Sequence, residues 1–517
     1  MAAAVYPTAA DSTTSSVSDV TVARPARGVP CCRHSMTKQR TLLTVLFAGV
    51  GLLVSAASAG ASPGQLALIQ DDAAFVEGRR GDPRALLYEA RHELGADIVR
   101  ANLYWRAVSP APGANSKPRG FRVGDPSSPR YRWAMYDQFV ANARAAGLRV
   151  YLTITGPTPD WGSREPRRCR EGCIWKPNSR LFGKFVKAVA RRYRGQVRYW
   201  SIWNEPNHFG WLLPQYSHRH RVRYSARMYR SLWYRGYRAI RRYDPARRRS
   251  VLFGELAPFA SPRAFLHSSM CIDRRGRPLR SRRQRCPRRP VKLPVGAIAH
   301  HPYPHGASVH PLSPVRGRSN LTIAYMPRLK RSMLLAARHG RMPRGRSIFL
   351  TEYGIQSRPP DPFGASPRQQ ARWLNESERL VWRDRRVKST AQYELFDAHA
   401  SEQFNTGLRT AQGARKPAWA AYRISVTVTR RGRRRVEIWG WVKPGRGRQV
   451  VEVRARRRGR NPYRVVRRVR TNPRGMFRIV RRGRSATRLV YKLRHRTDAG
   501  DWHSRSAVAR RPLRYRG

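Results

Sequence analysis

The chain has 517 residues, more than one ordinary domain needs, and 40% of them are hydrophobic, so it can fill a large core. Its 105 Lys and Arg residues against 30 Asp and Glu residues give a formal net charge of +75, which predicts attraction to polyanions. A nucleic-acid partner is nevertheless not predicted, because the basic residues are spread along the chain and form no recognisable nucleic-acid-binding motif.

Residues 36–61 have the pattern of a secretory signal. Two basic residues precede an apolar run at 42–54, and small residues follow it. This pattern predicts cleavage after Ala59 or Ala61, with translation starting at Met36. The apolar run is short for a membrane span, although an uncleaved anchor is the alternative. We therefore predict an N-terminal extension and signal over residues 1–61 and a secreted, extracellular or cell-envelope-associated protein.

From residue 66 onward, short apolar runs alternate with polar loops and amphipathic stretches. Eight runs predict strands: Leu66–Val76, Ala96–Trp105, Arg149–Gly156, Val197–Asn204, Ser250–Leu256, Val295–His301, Ser347–Glu352 and Thr390–Asp397. Helices are predicted at Arg132–Ala146, Ser179–Tyr193, Tyr224–Tyr243, Ile323–His339 and Gln369–Trp382. Eight strand–helix units predict an α/β fold in which residues 62–423 form a closed (β/α)8 TIM barrel.

Four cysteines follow the predicted signal: Cys169, Cys173, Cys271 and Cys286. An even number in an exported chain indicates disulfides, and the local pairs Cys169–Cys173 and Cys271–Cys286 are favoured among the three possible pairings. A four-cysteine zinc site is the alternative, but the spacings fit no zinc-ribbon pattern well.

The pattern changes from about Ile424 onward. Strand-like runs are separated by Gly, Pro and Asn turns: SVTVT, RVEIWGWV, QVVEVRARR, YRVVRRV, MFRIV and RLVYKL. They predict a small all-β, sandwich-like domain over residues 424–517. Its role is either a wall- or glycan-binding appendage or a stabilising spacer. The arginines either fill a solvated surface or hold the protein to an anionic cell-envelope polymer.

Two glutamates follow predicted barrel strands, in Trp203-Asn204-Glu205-Pro206-Asn207 and in Thr351-Glu352-Tyr353-Gly354. Reactive groups of β/α barrels lie at the C-terminal ends of the strands. Hydrolysis of a glycosidic bond with retention needs two carboxyl groups about 5–5.5 Å apart, one to protonate the leaving oxygen and one to attack the anomeric carbon. Glu205 and Glu352 could meet this separation, and mutual repulsion would keep one of them neutral as the acid.

These two motifs resemble those of clan A retaining glycoside hydrolases, the cellulase-like and xylosidase-like barrels, over residues 66–423. The resemblance implies that Glu205 is the acid/base and Glu352 the nucleophile. It also implies that Asn204 hydrogen-bonds the sugar 2-hydroxyl.

Three further residues match motifs of the same family. Arg100 resembles the arginine that supports the nucleophile. His301 and Tyr303, in His300-His301-Pro302-Tyr303, look like the pair in which the histidine lines the sugar site and the tyrosine lies near the nucleophile. Four more carboxylates stand at apparent strand ends, where each binds either sugar hydroxyls or an arginine: Asp71, Asp72, Glu255 and Asp397.

Aromatic side chains near strand ends are candidate sugar platforms, because aromatic rings stack on the apolar faces of sugars. Four residues are predicted in this role, and each could instead belong to the core: Tyr104, Trp105, Trp161 and Trp211. Many clan members carry a Trp at the end of strand eight, whereas this chain reads Tyr393-Glu394-Leu395-Phe396-Asp397. Phe396, or a residue from another loop, is predicted to take its place.

The sequence thus predicts a secreted retaining O-glycosidase that cleaves an oligo- or polysaccharide at a β linkage through a covalent glycosyl-enzyme intermediate. A transglycosylase and a non-catalytic carbohydrate- or envelope-binding barrel are the alternatives. The chemistry needs no cofactor. No metal site is predicted, because His300, His301 and His305 follow one strand and no downstream carboxylate completes a site.

Overall fold

A computed structural model describes residues 62–169, 172–217, 222–286, 292–398, 404–445, 447–459, 462–497 and 500–517. These residues belong to one compact unit. The predicted signal at residues 36–61 lies outside the described residues. Within the described ranges, no helix has both the length and the apolar character needed to cross a membrane.

Eight parallel strands close into a barrel in which each strand pairs with the next and the last pairs with the first. They are β1 (Leu66–Gln70), β2 (Ile98–Tyr104), β3 (Arg149–Thr155), β4 (Val197–Ile202), β5 (Val251–Leu256), β6 (Ala297–His300), β7 (Ser347–Leu350) and β8 (Val387–Tyr393). The predicted (β/α)8 barrel is confirmed. Seven strands lie within their predicted runs, whereas β8 begins before its run and ends at Tyr393.

Ten α-helices lie in the described part of the chain: α1 (Asp72–Phe75), α2 (Pro83–His92), α3 (Trp105–Val108), α4 (Ala134–Ala145), α5 (Ser179–Arg192), α6 (Tyr224–Tyr243), α7 (Pro262–Ser269), α8 (Met326–Arg338), α9 (Pro367–Trp382) and α10 (Pro417–Arg423). All five predicted helices are present. A capping box starts α9, because the Ser366 hydroxyl accepts from the backbone N–H of Gln369 while the Gln369 side chain accepts from that of Ser366.

The C-terminal part contains seven strands: β9 (Ile424–Arg430), β10 (Arg435–Val442), β11 (Val450–Arg456), β12 (Arg464–Arg470), β13 (Met476–Arg482), β14 (Val490–Arg496) and β15 (Trp502–Arg510). They form one sheet in the order β12-β11-β14-β15-β9-β10-β13. Val428 and Ile438 from one end share a core with Val453 and Leu493 from the other. The predicted all-β C-terminal part is confirmed. Its seven strands form one continuous hydrogen-bonded sheet, and strands from both ends of that sheet pack against each other around a core.

The strand β15 was not among the runs that the sequence predicted. Its sequence, WHSRSAVAR, contains only one β-branched aliphatic residue, Val508, so it lacks the run of such residues that marks most of the other strands. It pairs antiparallel with β14 and, over its last residues, parallel with β9. A largely polar strand therefore joins the two ends of the sheet.

Both favoured disulfides are present, Cys169–Cys173 and Cys271–Cys286. The first lies in the long loop between β3 and α5, and the second closes the insertion between α7 and β6. Each bridge fixes a local loop outside the barrel strands.

Candidate active site

Glu205 and Glu352 follow β4 and β7 and are both buried. Because parallel barrel strands end at the same rim, residues that follow them converge on one opening. A carboxyl oxygen of each glutamate and a ring nitrogen of His301 all lie within 4.8 Å of one another. The structure therefore brings the two predicted catalytic glutamates into one buried cluster.

The backbone after β4 is bent at two non-glycine residues with positive φ, Trp203 (+67°) and Glu205 (+37°). Such conformations cost about 1–3 kcal/mol each and persist where surrounding contacts hold them. Here the indole N–H of Trp203 donates to the Trp211 carbonyl at 2.9 Å, and the Asn204 N–H donates to Thr155 Oγ1 at 3.0 Å. Gly156 faces the Trp203 ring, and a Cβ there would lie 2.7 Å from Cζ2. These contacts hold the backbone that places the Glu205 carboxylate beside His301 and Glu352.

Arg100, on β2, is 0% exposed and connects the two glutamate-bearing segments. Its Nη1 donates to Glu352 Oε1 at 2.6 Å, and its Nη2 donates to Asn204 Oδ1 at 2.7 Å. Burial alone would lower the pKa of Arg100, but the charges of Glu255 and Glu352 raise it well above its usual value. Arg100 is thus a permanent cation that fixes both Glu352 and Asn204.

His301, directly after β6, bridges three carboxylates. Its Nδ1 lies 2.9 Å from Glu205 Oε1 and 3.4 Å from Glu352 Oε2, and its Nε2 lies 2.8 Å from Glu255 Oε2. Burial lowers the pKa of His301, but the charge of Glu352 and the hydrogen bonds to Glu205 and Glu255 outweigh this effect and raise it to about 9. At neutral pH His301 is therefore a cation that donates from both ring nitrogens.

Glu255, near the end of β5, lies beneath this cluster and is 0% exposed. It accepts hydrogen bonds from Thr351 Oγ1 at 2.6 Å, from the Tyr151 hydroxyl and from His301. Burial raises the pKa of Glu255, but the charge of Arg100 and these hydrogen bonds hold it well below its usual range. The sequence identified Glu255 only as a strand-end carboxylate; the structure shows that it binds an arginine and a histidine.

The other three strand-end carboxylates have different partners. Asp71 accepts from the backbone N–H of Leu395 and caps α1, and Asp397 binds Lys416 at 2.8 Å, so both hold loops together. Asp72 is half-buried and accepts from the backbone N–H of Asn102. Burial raises the pKa of Asp72 to about 7, although the charge of Arg100 opposes it. Of the three, Asp72 is the one whose pKa is affected by the charge of Arg100.

The spacing of Glu205, His301 and Glu352 could also hold a metal ion. Both ring nitrogens of His301 already hydrogen-bond carboxylates, however, so this imidazole offers no lone pair to a cation. These three groups fit a proton-sharing cluster better than a metal site.

Tyr303 occupies the position predicted for it. Its hydroxyl donates to Glu352 Oε2 at 3.1 Å, so both oxygens of Glu352 have a donor. Its ring meets Phe404 and Tyr393 edge to face, with centroids 5.2 Å and 6.4 Å away. Glu352 is therefore bordered on the Tyr303 side by a group of three aromatic rings.

Two of the predicted sugar platforms are core residues. Trp105 is 0% exposed and stacks on Phe185 with ring centroids 5.3 Å apart. Trp161 is also buried and meets the edge of Trp105 at 5.6 Å. Because both rings are enclosed by other aromatic side chains, neither has a face that a sugar could reach. The prediction of platforms at Trp105 and Trp161 is corrected accordingly.

Phe396 is likewise buried, with the guanidinium of Arg409 5.8 Å from its ring centroid. The ring of strand eight that lies near the glutamates is Tyr393, the last residue of β8: burial raises its pKa, and the charge of Glu352 contributes. Tyr393, and not Phe396, is therefore the ring of this segment that contacts Tyr303 beside Glu352. The register Gln70↔Tyr393 with β1 fixes where β8 ends, which the sequence alone did not.

Trp211 differs from the other two predicted tryptophans because it is only half-buried. Its ring lies nearly parallel to that of Tyr104, at an interplanar angle of 9° and a centroid distance of 6.4 Å. Tyr104 ends β2, and the charges of Asp72 and Glu352 contribute to its raised pKa after burial. An aromatic pair therefore lies near the glutamates, which keeps Trp211 as a candidate platform.

No protein-family model and no curated protein sequence matches this chain. Among solved structures, it is similar to a calcium-binding mutant of Bacteroides uniformis beta-glucuronidase 2 (10% identity, TM-score 0.41), covering 87% of this chain and 46% of that one. It is similar to a family 1 β-glucosidase from Thermotoga maritima (12% identity, TM-score 0.42), covering 70% and 98%. A psychrophilic glycoside hydrolase family 10 endo-beta-1,4-xylanase matches at 14% identity and a TM-score of 0.40, covering 69% and 96%.

Proposed function

We propose that this protein is a retaining O-glycosidase in which Glu205 is the acid/base and Glu352 the nucleophile. The proposal is carried by one carboxyl oxygen of Glu205 and one of Glu352, which lie within 4.8 Å of each other in one buried cluster. An inverting enzyme needs about 6.5–9.5 Å between its carboxyl groups to admit a water molecule, whereas retention needs about 5–5.5 Å. The short separation favours direct attack by one glutamate.

In the first step Glu352 attacks the anomeric carbon while Glu205 gives its proton to the leaving glycosidic oxygen. Arg100 and Tyr303 hold the two oxygens of Glu352, so the carboxylate meets the sugar in a fixed orientation. In the second step water gives a proton to Glu205 and attacks the same carbon, and the bond to Glu352 breaks.

His301 and Asn204 position the reacting groups. The bond from His301 to Glu205 Oε1 fixes the plane of that carboxyl group, so its proton is directed to one place. Arg100 holds Asn204 Oδ1, which orients the carboxamide proposed to bind the sugar 2-hydroxyl. Such contacts strengthen as the ring approaches its oxocarbenium-like transition state.

The proposed substrate is a β-linked oligo- or polysaccharide outside the cell. The half-buried pair of Trp211 and Tyr104 supports sugar binding, since aromatic rings cover the apolar faces of pyranoses. Two disulfides and the signal-like pattern at residues 36–61 support export.

The first experiment replaces the nucleophile. On whichever aryl glycoside of a panel the wild type cleaves, Glu352→Gln should lower kcat by about four orders of magnitude or more, because the amide cannot form the glycosyl ester. Glu93→Gln, the same change in a surface pair with Arg415, serves as the control and should leave kcat unchanged. Turnover retained in Glu352→Gln would overturn its role.

A second experiment tests the acid and the stereochemistry. Glu205→Gln should slow substrates with poor leaving groups far more than nitrophenyl glycosides, whose leaving group needs no proton. NMR of the wild-type reaction should show the first product with the anomeric configuration of the substrate. An inverted first product contradicts the proposed mechanism.

A further inference from the structure

A cavity of about 210 Å³ lies on the outside of the barrel, and neither Glu205 nor Glu352 lines it. Helix α6 contributes Arg230 to its lining, Ser269 ends α7, and Arg341 follows α8. Barrel helices run opposite to the strands, so the C-terminal ends of α7 and α8 lie towards the rim opposite the candidate active site. Two of the lining residues carry a full charge, and both are arginines.

Arg341 is a buried cation that forms no ion pair with any residue in the described part of the chain. It is 2% exposed, and its Nε and Nη2 atoms are buried and have no hydrogen-bond partner within the described ranges. Burial lowers the pKa of its guanidinium, and no carboxylate among the described residues compensates for this effect. Arginines are almost never this buried unless they are paired, because an isolated charge is costly to remove from water.

Arg230 and Ser269 line the same cavity. Arg230 donates to the carbonyls of Ser268 at 3.2 Å and Arg285 at 3.0 Å, which carry no net charge. Burial, with the charges of Arg227 and Arg341, lowers the pKa of Arg230 to about 10. The Oγ of Ser269 is buried and, in the part of the chain that is described, has no hydrogen-bond partner. The lining of the cavity therefore includes two arginines and a serine, and none of its described lining residues is a carboxylate.

We propose that this cavity is a binding site for an oxyanion, the phosphate, sulfate or carboxylate group of a small polar molecule. A guanidinium is a planar fork of donors that fits such a group in a bidentate manner. The cavity is larger than one bare oxyanion, so there is room for the molecule that carries it. The site is separate from the glycosidase site and does not depend on its proposed function.

Inorganic phosphate is the first probe, titrated into the full chain while sodium chloride keeps the ionic strength constant. The wild type should bind phosphate saturably, seen by calorimetry and as a rise in melting temperature. Arg341→Met keeps the bulk of the side chain and removes its charge, so phosphate affinity should fall by about tenfold or more. Arg338→Met, an exposed arginine at the end of α8, is the matched control and should bind phosphate as the wild type does.

A second variant keeps the test decisive if Arg341→Met does not fold. Ser269→Ala removes only the Oγ atom and should weaken phosphate binding severalfold. D-glucuronate in place of phosphate distinguishes a carboxylate ligand from a phosphate ligand, and saturation by either one supports the site. Equal phosphate affinity in Ser269→Ala, Arg341→Met and the wild type overturns the proposal, as does failure of both probes to saturate.

Discussion

The candidate active site and the edge strand β12 place arginine in opposite environments. In the site, Arg100 is fully buried and has Glu352 at 2.6 Å and Glu255 at 3.4 Å. On β12, Arg464, Arg467 and Arg470 point to solvent and have no ion-pair partner within the described ranges. A buried charge must be matched and then fixes its partners, whereas an exposed charge mainly contributes to the potential of the surface.

The cavity at Arg341 combines the two cases, because Arg341 is buried like Arg100 but unmatched like the arginines of β12. The burial of Arg341 without a carboxylate partner among the described residues is the reason we infer a ligand site there. Arginine content alone therefore says little; burial and the count of nearby carboxylates decide what each arginine does.

The largest effect is expected when the buried, paired cation Arg100 is removed. Arg100→Met leaves Glu352 and Glu255 buried without their cation, so the free energy of unfolding should fall by about 3–5 kcal/mol and glycosidase activity should be lost. Denaturant unfolding and the aryl glycoside assay measure these changes. Arg415→Met, which removes the exposed partner of Glu93, should cost less than about 1 kcal/mol. Similar losses in both variants would show that burial does not separate the two environments.

The second prediction uses the pH dependence of stability and activity to test the role of the buried cation His301. The pKa of His301 is raised from 6.5 to about 9, so its stabilising contribution is complete below about pH 6.5 and is lost as the pH rises through about 9. Glu255→Gln removes a charged partner and should lower the pKa of His301. The alkaline loss of stability and of kcat/KM should therefore begin at lower pH than in the wild type.

The control for this pH profile is Glu376→Gln, which removes a carboxylate from the more exposed pair with His310, 3.1 Å apart. It should leave the alkaline limb in place. An alkaline limb that is also unmoved in Glu255→Gln contradicts the bridging role of His301.

The smallest expected effect on stability concerns the exposed arginines. Changing Arg464, Arg467 and Arg470 of β12 to Gln should alter the free energy of unfolding by no more than about 0.5 kcal/mol each. The triple variant should elute from an anionic polymer column at lower salt than the wild type, because fewer cationic groups bind the matrix and less salt is needed to screen their attraction. The comparison variant changes three exposed arginines of α6: Arg235, Arg238 and Arg242. Equal shifts in both would assign retention to the whole surface and not to β12.

The elements of the fold could be predicted where their signal is local. Apolar runs marked all eight barrel strands, and amphipathic periodicity marked α6 with its bounds, Tyr224–Tyr243. The strand β15 could not be predicted in this way, because its pairing with β14 and β9 is decided by distant strands and not by its own apolar pattern.

In the candidate site, short motifs identified the residues and not their surroundings. Glu205, Glu352, Arg100, His301 and Tyr303 were predicted and lie together. Among aromatic residues the sequence could not distinguish a sugar platform from a core side chain, since a tryptophan after a strand has the same local signal in either place.

By itself the sequence determined the order of the eight barrel strands, the two glutamates at strand ends and the preferred disulfide pairs. Only the tertiary structure decided that Trp105 is core, that Glu255 joins Arg100 to His301, and that Arg341 is buried without a carboxylate. The physical reason is that periodicity and turn residues act within a few positions of the chain. Burial and charge pairing depend on side chains brought together from segments far apart in the sequence.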